Sequence, residues 1–222
     1  MSTVEIFEDQ RASNYNEFVQ TWIPNYDYFL DKLPLLLKET ENKNLLVAGC
    51  GTGNEIERFV SSEKDWKMTG VDPSPDMIRQ AQRKLEDYEN VNLIEGLVSD
   101  VDESQKFGAA TLLLVLHFMK DSGAKLNLLK DIAKRLESNA PLVILDITGD
   151  KTQIKENLSV LKRFLPDHLS KEDIDNRLYR IENKLHAVSE ERLIELFVEA
   201  GFEKPLRFFQ TSIYMGWIAN KK

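Results

Sequence analysis

A short apolar run that ends in closely spaced glycines is the feature that most constrains the fold of this chain. Residues 45–48 read as a buried strand, and residues 49–53, with the sequence GCGTG, follow it directly. Glycines permit unusual backbone torsions and let a ligand approach the backbone closely. A helical pattern comes next, at residues 53–62. The order of strand, glycine turn and helix is typical of nucleotide-binding α/β proteins, in which ligands bind at the carboxyl ends of strands.

Strand and helix patterns alternate along most of the chain. Four further apolar runs read as strands: 68–71, 91–94, 110–115 and 141–146. Helical patterns separate them, and the connections are short, which predicts a doubly wound, mostly parallel sheet of α/β class. Two more strand patterns, at 205–210 and 212–219, can pair as an antiparallel edge and complete a seven-stranded, Rossmann-like sheet. Within this pattern Ser74 and Pro75 predict a helix start, with Ser74 as the cap.

The chain reads as a single domain over residues 1–222 with two helical additions. Residues 1–42 have apolar and aromatic positions three and four apart, which predict an N-terminal helical cap broken at Pro24 and Pro34. Residues 151–184 predict a helical insertion between the fifth strand and the last helix. We expect the insertion to cover the ligand site.

Composition narrows the class of partner. The formal net charge of −8 argues against unaided binding to a nucleic-acid backbone. Cys50 is the single cysteine, so no internal disulfide can form. The longest apolar run, 109–116, is too short to span a bilayer, and the N-terminal residues lack the apolar core of a signal peptide. We therefore expect a cytoplasmic protein that acts on a small molecule and contacts neither nucleic acid nor membrane directly.

An acidic residue follows the second strand at the position of a ribose-binding carboxylate. Asp72 stands nineteen residues after Gly53, and a carboxylate there can accept hydrogen bonds from both ribose hydroxyls. Position 54 is Asn54, so the dinucleotide fingerprint GxGxxG/A fails at its third glycine. The spacing therefore disfavours a nicotinamide-dependent oxidoreductase and favours a different nucleoside ligand.

At these residues the chain resembles the class I S-adenosylmethionine-dependent methyltransferases. Residues 46–53 are similar to the first motif of that family, and residues 70–77 to the second. Residues 95–100 are similar to the segment near the adenine, and 112–119 to the fourth strand and the loop over the methionine portion. The resemblance runs from about residue 44 to the end of the chain. It implies S-adenosylmethionine as the cofactor and transfer of a methyl group as the activity.

A narrower resemblance, to the carboxy-S-adenosylmethionine synthases, is carried by residues 23–26 and 208–214. Those enzymes transfer no methyl group but make a carboxylated cofactor, from prephenate, for the modification of tRNA wobble uridine. This branch implies an alternative function and a possible homodimer.

The two resemblances together imply the following cofactor-binding residues: Tyr26, Gly49, Cys50, Gly51, Asp72, Pro73, Asp100, Val101 and Leu113. The branch has asparagine where Leu113 aligns here. Its carboxylate-binding arginine corresponds to Arg177 or Arg180. These two arginines are three residues apart and share one helix face, from which either can bind an anionic substrate group bidentately.

Methyl transfer from a sulfonium depends mainly on alignment and on the exclusion of water, so no fixed catalytic motif is expected. No catalytic residue is assigned from the sequence: His117, just beyond the fourth strand, is the best candidate for a general base, but a half-buried structural histidine is the favoured interpretation. No cluster in the sequence has metal-ligand spacing, so no metal is expected. The main hypothesis is a methyltransferase that acts on a small molecule. The alternatives are a carboxy-S-adenosylmethionine synthase-like enzyme and a non-catalytic S-adenosylmethionine-binding protein.

Overall fold

Seven strands form one mixed sheet in the computed structural model, which describes residues 5–62 and 65–222. In chain order they are β1 (Asn44–Ala48), β2 (Lys67–Asp72), β3 (Val91–Glu95), β4 (Ala109–Leu113), β5 (Pro141–Ile147), β6 (Leu206–Thr211) and β7 (Tyr214–Asn220). The spatial order is β3-β2-β1-β4-β5-β7-β6. Strands β1 to β5 pair in parallel, whereas β7 pairs antiparallel with both β5 and β6. The predicted seven-stranded α/β fold is confirmed, and β7 lies inside the sheet, so only β6 forms that edge.

Helices cover both faces of the sheet. The α-helices are α1 (Asp9–Ser13), α2 (Tyr15–Trp22), α3 (Tyr26–Leu36), α4 (Asn54–Ser62), α5 (Pro75–Lys84), α6 (Ala124–Arg135), α7 (Lys151–Phe164), α8 (Lys171–Lys184) and α9 (Glu190–Glu199). Short 3-10 helices lie at Val98–Asp100 and Leu116–Phe118. The first four residues of the predicted N-terminal cap lie outside the described residues. In the parts of the chain that the structure describes, we find no helix of the length and apolarity needed to cross a bilayer.

Consecutive residues of β1 divide the core into two layers. Leu45 and Val47 join an apolar cluster that includes residues of α2, α3, α4, α5, α7 and α8. Leu46 and Ala48 join a second cluster with residues of α6 and α9. Side chains alternate between the faces of a strand, and a strand buried on both faces is apolar throughout. This explains why the strands appear in the sequence as short continuous apolar runs.

Two local predictions about proline and capping were wrong. Pro34 does not break the helix, because α3 continues to Leu36 with Pro34 in its last turn. Leu33 and Pro34 are both buried, and this packing offsets the one backbone hydrogen bond that proline removes. Ser74 stands at the N-cap of α5, but its hydroxyl does not cap the helix. The Ser74 hydroxyl instead accepts a 3.1 Å hydrogen bond from the backbone N–H of Phe7, which joins the N-terminal segment to the end of β2.

Candidate active site

A cavity of about 640 Å³ opens at the carboxyl ends of β1, β2 and β4. Its wall includes Gly49 and Gly51 from the glycine turn, Asp72 from the end of β2, and His117 from the loop after β4. Ligand-binding cavities typically measure about 300–1,000 Å³. This volume accommodates a nucleoside ligand together with a second small molecule.

Backbone hydrogen bonds to β2 fix the shape of the glycine turn. The carbonyl of Val71 accepts hydrogen bonds from the N–H groups of Gly49 and Cys50, at 2.8 and 3.0 Å. Gly49 has a φ of +72°, and a Cβ atom there would lie 2.5 Å from Cγ2 of Val115. Only glycine fits both the torsion and the space. The turn therefore presents bare backbone to the cavity at Gly49.

Asp72 faces the cavity while it is fixed by two backbone donors. Its Oδ2 accepts from the N–H of Gly51 at 3.0 Å, and its Oδ1 accepts from the N–H of Ser74 at 2.9 Å. Burial raises the pKa of the Asp72 carboxyl, and the hydrogen bonds from Ser74 and Gly51 oppose this rise. The geometry places a rigid acceptor where the sequence predicts the ribose carboxylate.

Tyr26 and Cys50 line a second, much smaller cavity of about 10 Å³ that adjoins the glycine turn. Burial raises the pKa of both the Tyr26 hydroxyl and the Cys50 thiol, so both stay protonated. A protonated, buried thiol is a poor nucleophile. The same small cavity is lined by Glu55, a buried acid at the start of α4 that the sequence analysis did not single out.

The adenine-side prediction differs from the observed wall. Asp100 and Val101 line neither of these two cavities, whereas Leu97, Val98 and Ser99 line the large one. The Asp100 carboxylate turns back to accept a 2.7 Å hydrogen bond from the N–H of Leu97, and Val101 packs into the core. The adenine side of the cavity wall is thus formed by residues 97–99, just before the predicted Asp100 and Val101. Pro73 and Leu113 do line the large cavity.

His117 is buried beside Asp146, the last residue but one of β5. The Nδ1 atom of His117 lies 2.8 Å from Oδ1 of Asp146. The same carboxylate accepts from the N–H groups of Leu116 and Ile147, both at 2.8 Å. The aspartate therefore fixes both the imidazole ring and the loop that carries it. Asp146 was missed from the sequence, although an acid at the carboxyl end of a strand that neighbours β4 was a usable signal.

Arginine side chains form part of the cavity wall. Arg177 and Arg180, from α8, line the large cavity together with Arg11 and Glu5 from the N-terminal segment. The Glu5 carboxylate pairs with Arg11 at 2.8 Å and with Arg180 at 3.3 Å. Arg11 and Arg180 thus share the Glu5 carboxylate, and no ion pair of Arg177 is found among the described residues. This region is positive although the chain is acidic overall.

Two buried polar atoms on this wall have no hydrogen-bond partner in the described residues: Nε of Arg177 and Oη of Tyr214. Both residues line the large cavity. Burial raises the pKa of the Tyr214 hydroxyl, and the nearby Arg177 guanidinium opposes the rise. Buried donors are nearly always satisfied in native proteins. Both atoms are therefore available to an acceptor group that enters the cavity.

Comparison with known proteins agrees with this arrangement. Residues 46–142, which run from β1 into β5, match a family model described as a methyltransferase domain. This match supports the resemblance of the chain to the class I S-adenosylmethionine-dependent methyltransferases.

Curated proteins similar to this chain are named carboxy-S-adenosyl-L-methionine synthases. Carboxy-S-adenosyl-L-methionine synthase 1 of Yersinia pseudotuberculosis serotype IB (strain PB1/+) is 25% identical over 96% of this chain and 92% of the relative. The carboxy-S-adenosyl-L-methionine synthase of Helicobacter pylori (strain Shi470) is 26% identical over 97% of this chain and 93% of the relative.

Solved structures share the fold. DesVI of Streptomyces venezuelae is similar with a TM-score of 0.68 at 16% identity, over 97% of this chain and all of that one (100%). The magnesium protoporphyrin IX methyltransferase of Synechocystis PCC 6803, solved with bound SAH, gives a TM-score of 0.68 at 15% identity, over 96% of this chain and 94% of that one.

The residues of this cavity fit S-adenosylmethionine, the cofactor of the methyltransferases that the chain resembles. The bare backbone at Gly49, the fixed acceptor at Asp72 and the volume of the cavity suit a nucleoside with an amino-acid side arm. No group of three or more histidine, cysteine or acidic residues in the described ranges could hold a metal ion.

Proposed function

We propose that this enzyme transfers the methyl group of S-adenosylmethionine to a small anionic acceptor. The observation that carries the proposal is the pair of unsatisfied donors, Nε of Arg177 and Oη of Tyr214, in the wall of the cavity that Asp72 also lines. A carboxylate or phosphate oxygen of the acceptor satisfies both donors. Charge-assisted hydrogen bonds to a guanidinium are about twice as strong as neutral ones. The pair therefore selects anionic acceptors over neutral ones.

The cofactor end of the cavity is held by the glycine turn and Asp72. When bound, S-adenosylmethionine supplies a methyl group that its sulfonium charge has already activated. The Asp72 carboxylate accepts from the ribose hydroxyls, and the backbone at Gly49 and Gly51 permits close approach. The protein then has to align the acceptor and exclude water.

We assign His117 as the group that takes a proton from the acceptor. With Nδ1 donating to Asp146, the other ring nitrogen, Nε2, is the proton acceptor of the neutral imidazole. The ring lines the same cavity as Arg177, so an acceptor held by Arg177 presents its hydroxyl or amine within the space that His117 bounds. Asp146 keeps the ring oriented and stabilises the imidazolium that forms after proton transfer.

We also propose that the helical additions cover this site. The N-terminal segment contributes Glu5, Phe7 and Arg11 to the wall, and α8 contributes Arg177 and Arg180. The ring of Phe7 packs edge-on against Tyr15 and Phe118, at centroid distances of 5.8 and 5.5 Å. Closure by these segments excludes water from the reacting atoms.

A panel of small hydroxy acids, each paired with its neutral amide, tests the proposal. The protein is incubated with S-adenosylmethionine and, for example, 4-hydroxybenzoate or 4-hydroxybenzamide, and S-adenosylhomocysteine formation is measured. We expect methylation of the acids and at least tenfold lower kcat/KM for the amides, which lack the charge. Equal turnover of acid and amide contradicts the anionic assignment.

A second candidate is a carboxy-S-adenosylmethionine synthase-like enzyme that uses prephenate. It is supported by the curated relatives at 25% and 26% identity, which match nearly the whole chain, and by the same unsatisfied Arg177. In this case the guanidinium holds the added carboxylate instead of an acceptor. Mass spectrometry of the ligand that co-purifies, and of a mixture with S-adenosylmethionine and prephenate, separates the two. A carboxylated cofactor supports the synthase, and S-adenosylhomocysteine supports methyl transfer.

A further inference from the structure

Glu55 is a buried carboxyl group without a cationic partner. Its side chain accepts a hydrogen bond from the hydroxyl of Thr111 in β4 and forms no ion pair within the described ranges. The other two buried acids are differently placed: Asp72 accepts from two backbone N–H groups, and Asp146 holds His117. A buried carboxylate is costly unless it is paired, so Glu55 requires either a proton or a cation.

The position of Glu55 places it next to the cofactor. Glu55 lines the small cavity with Tyr26 and Cys50. Five residues line both this cavity and the large one: Tyr15, Gly49, Gly51, Leu113 and Leu114. The small cavity therefore adjoins the large one at the glycine turn. Leu114, at this junction, has a φ of +61°, a left-handed torsion that is uncommon for leucine and that concentrates at ligand sites.

The order of the strands shows which part of the cofactor reaches this junction. Residues 97–99 follow β3, Asp72 ends β2, and the glycine turn follows β1. A nucleoside with its base beside residues 97–99 and its ribose at Asp72 directs its remaining arm across β1 toward β4. Thr111 of β4, the hydrogen-bond partner of Glu55, is in register with Val47 of β1. The amino-acid arm thus ends over β1 and β4, close to the position of the Glu55 side chain.

We propose that Glu55 is the counter-charge for the α-ammonium group of the methionine portion of the cofactor. The assignment rests on S-adenosylmethionine being the ligand of this cavity, but not on which acceptor is methylated. The groups around Glu55 cannot supply a charge: the pKa values of the Tyr15, Tyr26 and Cys50 side chains are raised by burial, so these groups are neutral. Asp72 is acidic. The ammonium is therefore the cation that this pocket lacks.

Proton release on binding is the expected consequence. Burial raises the pKa of Glu55 to about 8, well above the ordinary glutamate value of 4.5, while the hydrogen bond from Thr111 opposes the rise. At pH 7 the free protein therefore carries Glu55 mainly as the neutral acid. An ammonium beside it favours the carboxylate. The carboxyl proton passes to the buffer as the ammonium–carboxylate pair forms, and no other bond changes.

Calorimetry measures this proton directly. S-adenosylhomocysteine is titrated into the full chain at pH 7 in phosphate and in Tris, two buffers whose heats of protonation differ. The change in the observed binding enthalpy with the buffer's heat of protonation gives the number of protons exchanged. We expect close to one proton released with wild type. 5′-Methylthioadenosine, which has the same nucleoside but no amino-acid arm, should release about one proton fewer than S-adenosylhomocysteine does. Equal release with the two ligands overturns the proposal.

Glu55→Gln supplies the matched variant, because glutamine keeps the shape and can still bond Thr111. We expect this variant to lose the proton release, to bind S-adenosylhomocysteine at least tenfold more weakly, and to bind 5′-methylthioadenosine as wild type does. Glu57→Gln, on the same helix with a side chain 41% exposed, is the control and should change neither quantity. Unaltered proton release in Glu55→Gln assigns the proton to another group and overturns the proposal. If wild type binds neither ligand, the cofactor assignment itself is wrong.

Discussion

The carboxylate of Asp72 accepts a 3.0 Å hydrogen bond from the backbone N–H of Gly51, which joins the end of β2 to the glycine turn after β1. The other oxygen of the carboxylate accepts from Ser74, at the start of α5. One side chain thus fixes the two loops that form the nucleoside end of the cavity. The predicted ribose contact uses the remaining lone pairs of the same carboxylate.

Asp72→Ala should weaken the binding of S-adenosylhomocysteine by more than tenfold. The substitution removes a charged acceptor from the ribose and releases the N–H of Gly51, so both the contact and the turn are lost. Isothermal calorimetry measures the affinity. Asp102→Ala, at a fully exposed acid, is the control and should bind as wild type does. An unchanged affinity in Asp72→Ala excludes the ribose role.

The fold could be predicted from the sequence because its signals are local and repeated. Each parallel strand is buried on both faces, so runs such as residues 45–48 and 110–115 stand out as continuous apolar segments. Pro34 and Ser74 were mispredicted because tertiary contacts overrode local preference. Pro34 is buried in the last turn of α3, and the Ser74 hydroxyl accepts a hydrogen bond from the backbone N–H of Phe7, a residue far away in the sequence.

The site could be predicted only where neighbouring segments of the sequence carry the whole motif. The glycine turn and Asp72 belong to consecutive strands with a fixed spacing, which a sequence displays directly. Tyr214 and Asp146 come from β7 and β5, and they meet Arg177 and His117 only because the sheet and α8 bring distant segments together. Glu55 lies in an amphipathic helix, where a glutamate is normally solvated. Its burial depends on the packing of α4 against β4.

Arg177→Met should weaken the binding of the acceptor without changing the binding of the cofactor. Methionine keeps an apolar stem beside Phe18, whose ring lies 4.6 Å from the Arg177 guanidinium carbon, but it removes the unsatisfied donor. We expect the KM for an anionic acceptor to rise at least tenfold, with S-adenosylhomocysteine affinity within about threefold of wild type. The matched control is Arg163→Met, at an exposed arginine of α7. Equal KM values for the two variants contradict the assignment.

His117→Asn should slow transfer to acceptors that must lose a proton. General-base catalysis contributes roughly 10²–10⁴-fold, so we expect kcat with a 4-hydroxybenzoate-type acceptor to fall at least a hundredfold. An acceptor with a nitro group beside the hydroxyl, already ionised at the assay pH, should be much less affected. Asp146→Asn should follow the same pattern, because Asp146 holds the Nδ1 atom of His117 at 2.8 Å.

The exposed His168 supplies the control variant for this series, His168→Asn. The ratio of rates between the two acceptors distinguishes a base from a structural histidine. A structural role predicts that His117→Asn slows both acceptors to the same extent and weakens cofactor binding.

The stability of the ligand-free protein should fall with rising pH through Glu55. Burial raises the pKa of this carboxyl to about 8 in the folded state, whereas the ordinary value of 4.5 applies in the unfolded chain. Between these values the folded state binds the proton more tightly than the unfolded state does. The contribution of Glu55 is therefore most favourable below about pH 4.5 and is lost progressively as the pH rises to about 8.

Glu55→Gln isolates this contribution because glutamine has no proton to lose. We expect the free energy of unfolding of the variant, relative to wild type, to increase by about 2–4 kcal/mol between pH 5 and pH 8.5, at roughly 1.4 kcal/mol per pKa unit. Urea denaturation at several pH values measures both proteins, and groups common to both, including Asp72, cancel in the difference. Saturating S-adenosylhomocysteine should reduce the pH dependence of wild type, since the ammonium pairs with the carboxylate. Parallel stability curves for the two ligand-free proteins place the Glu55 carboxyl in a solvated environment and contradict its burial as a lone acid.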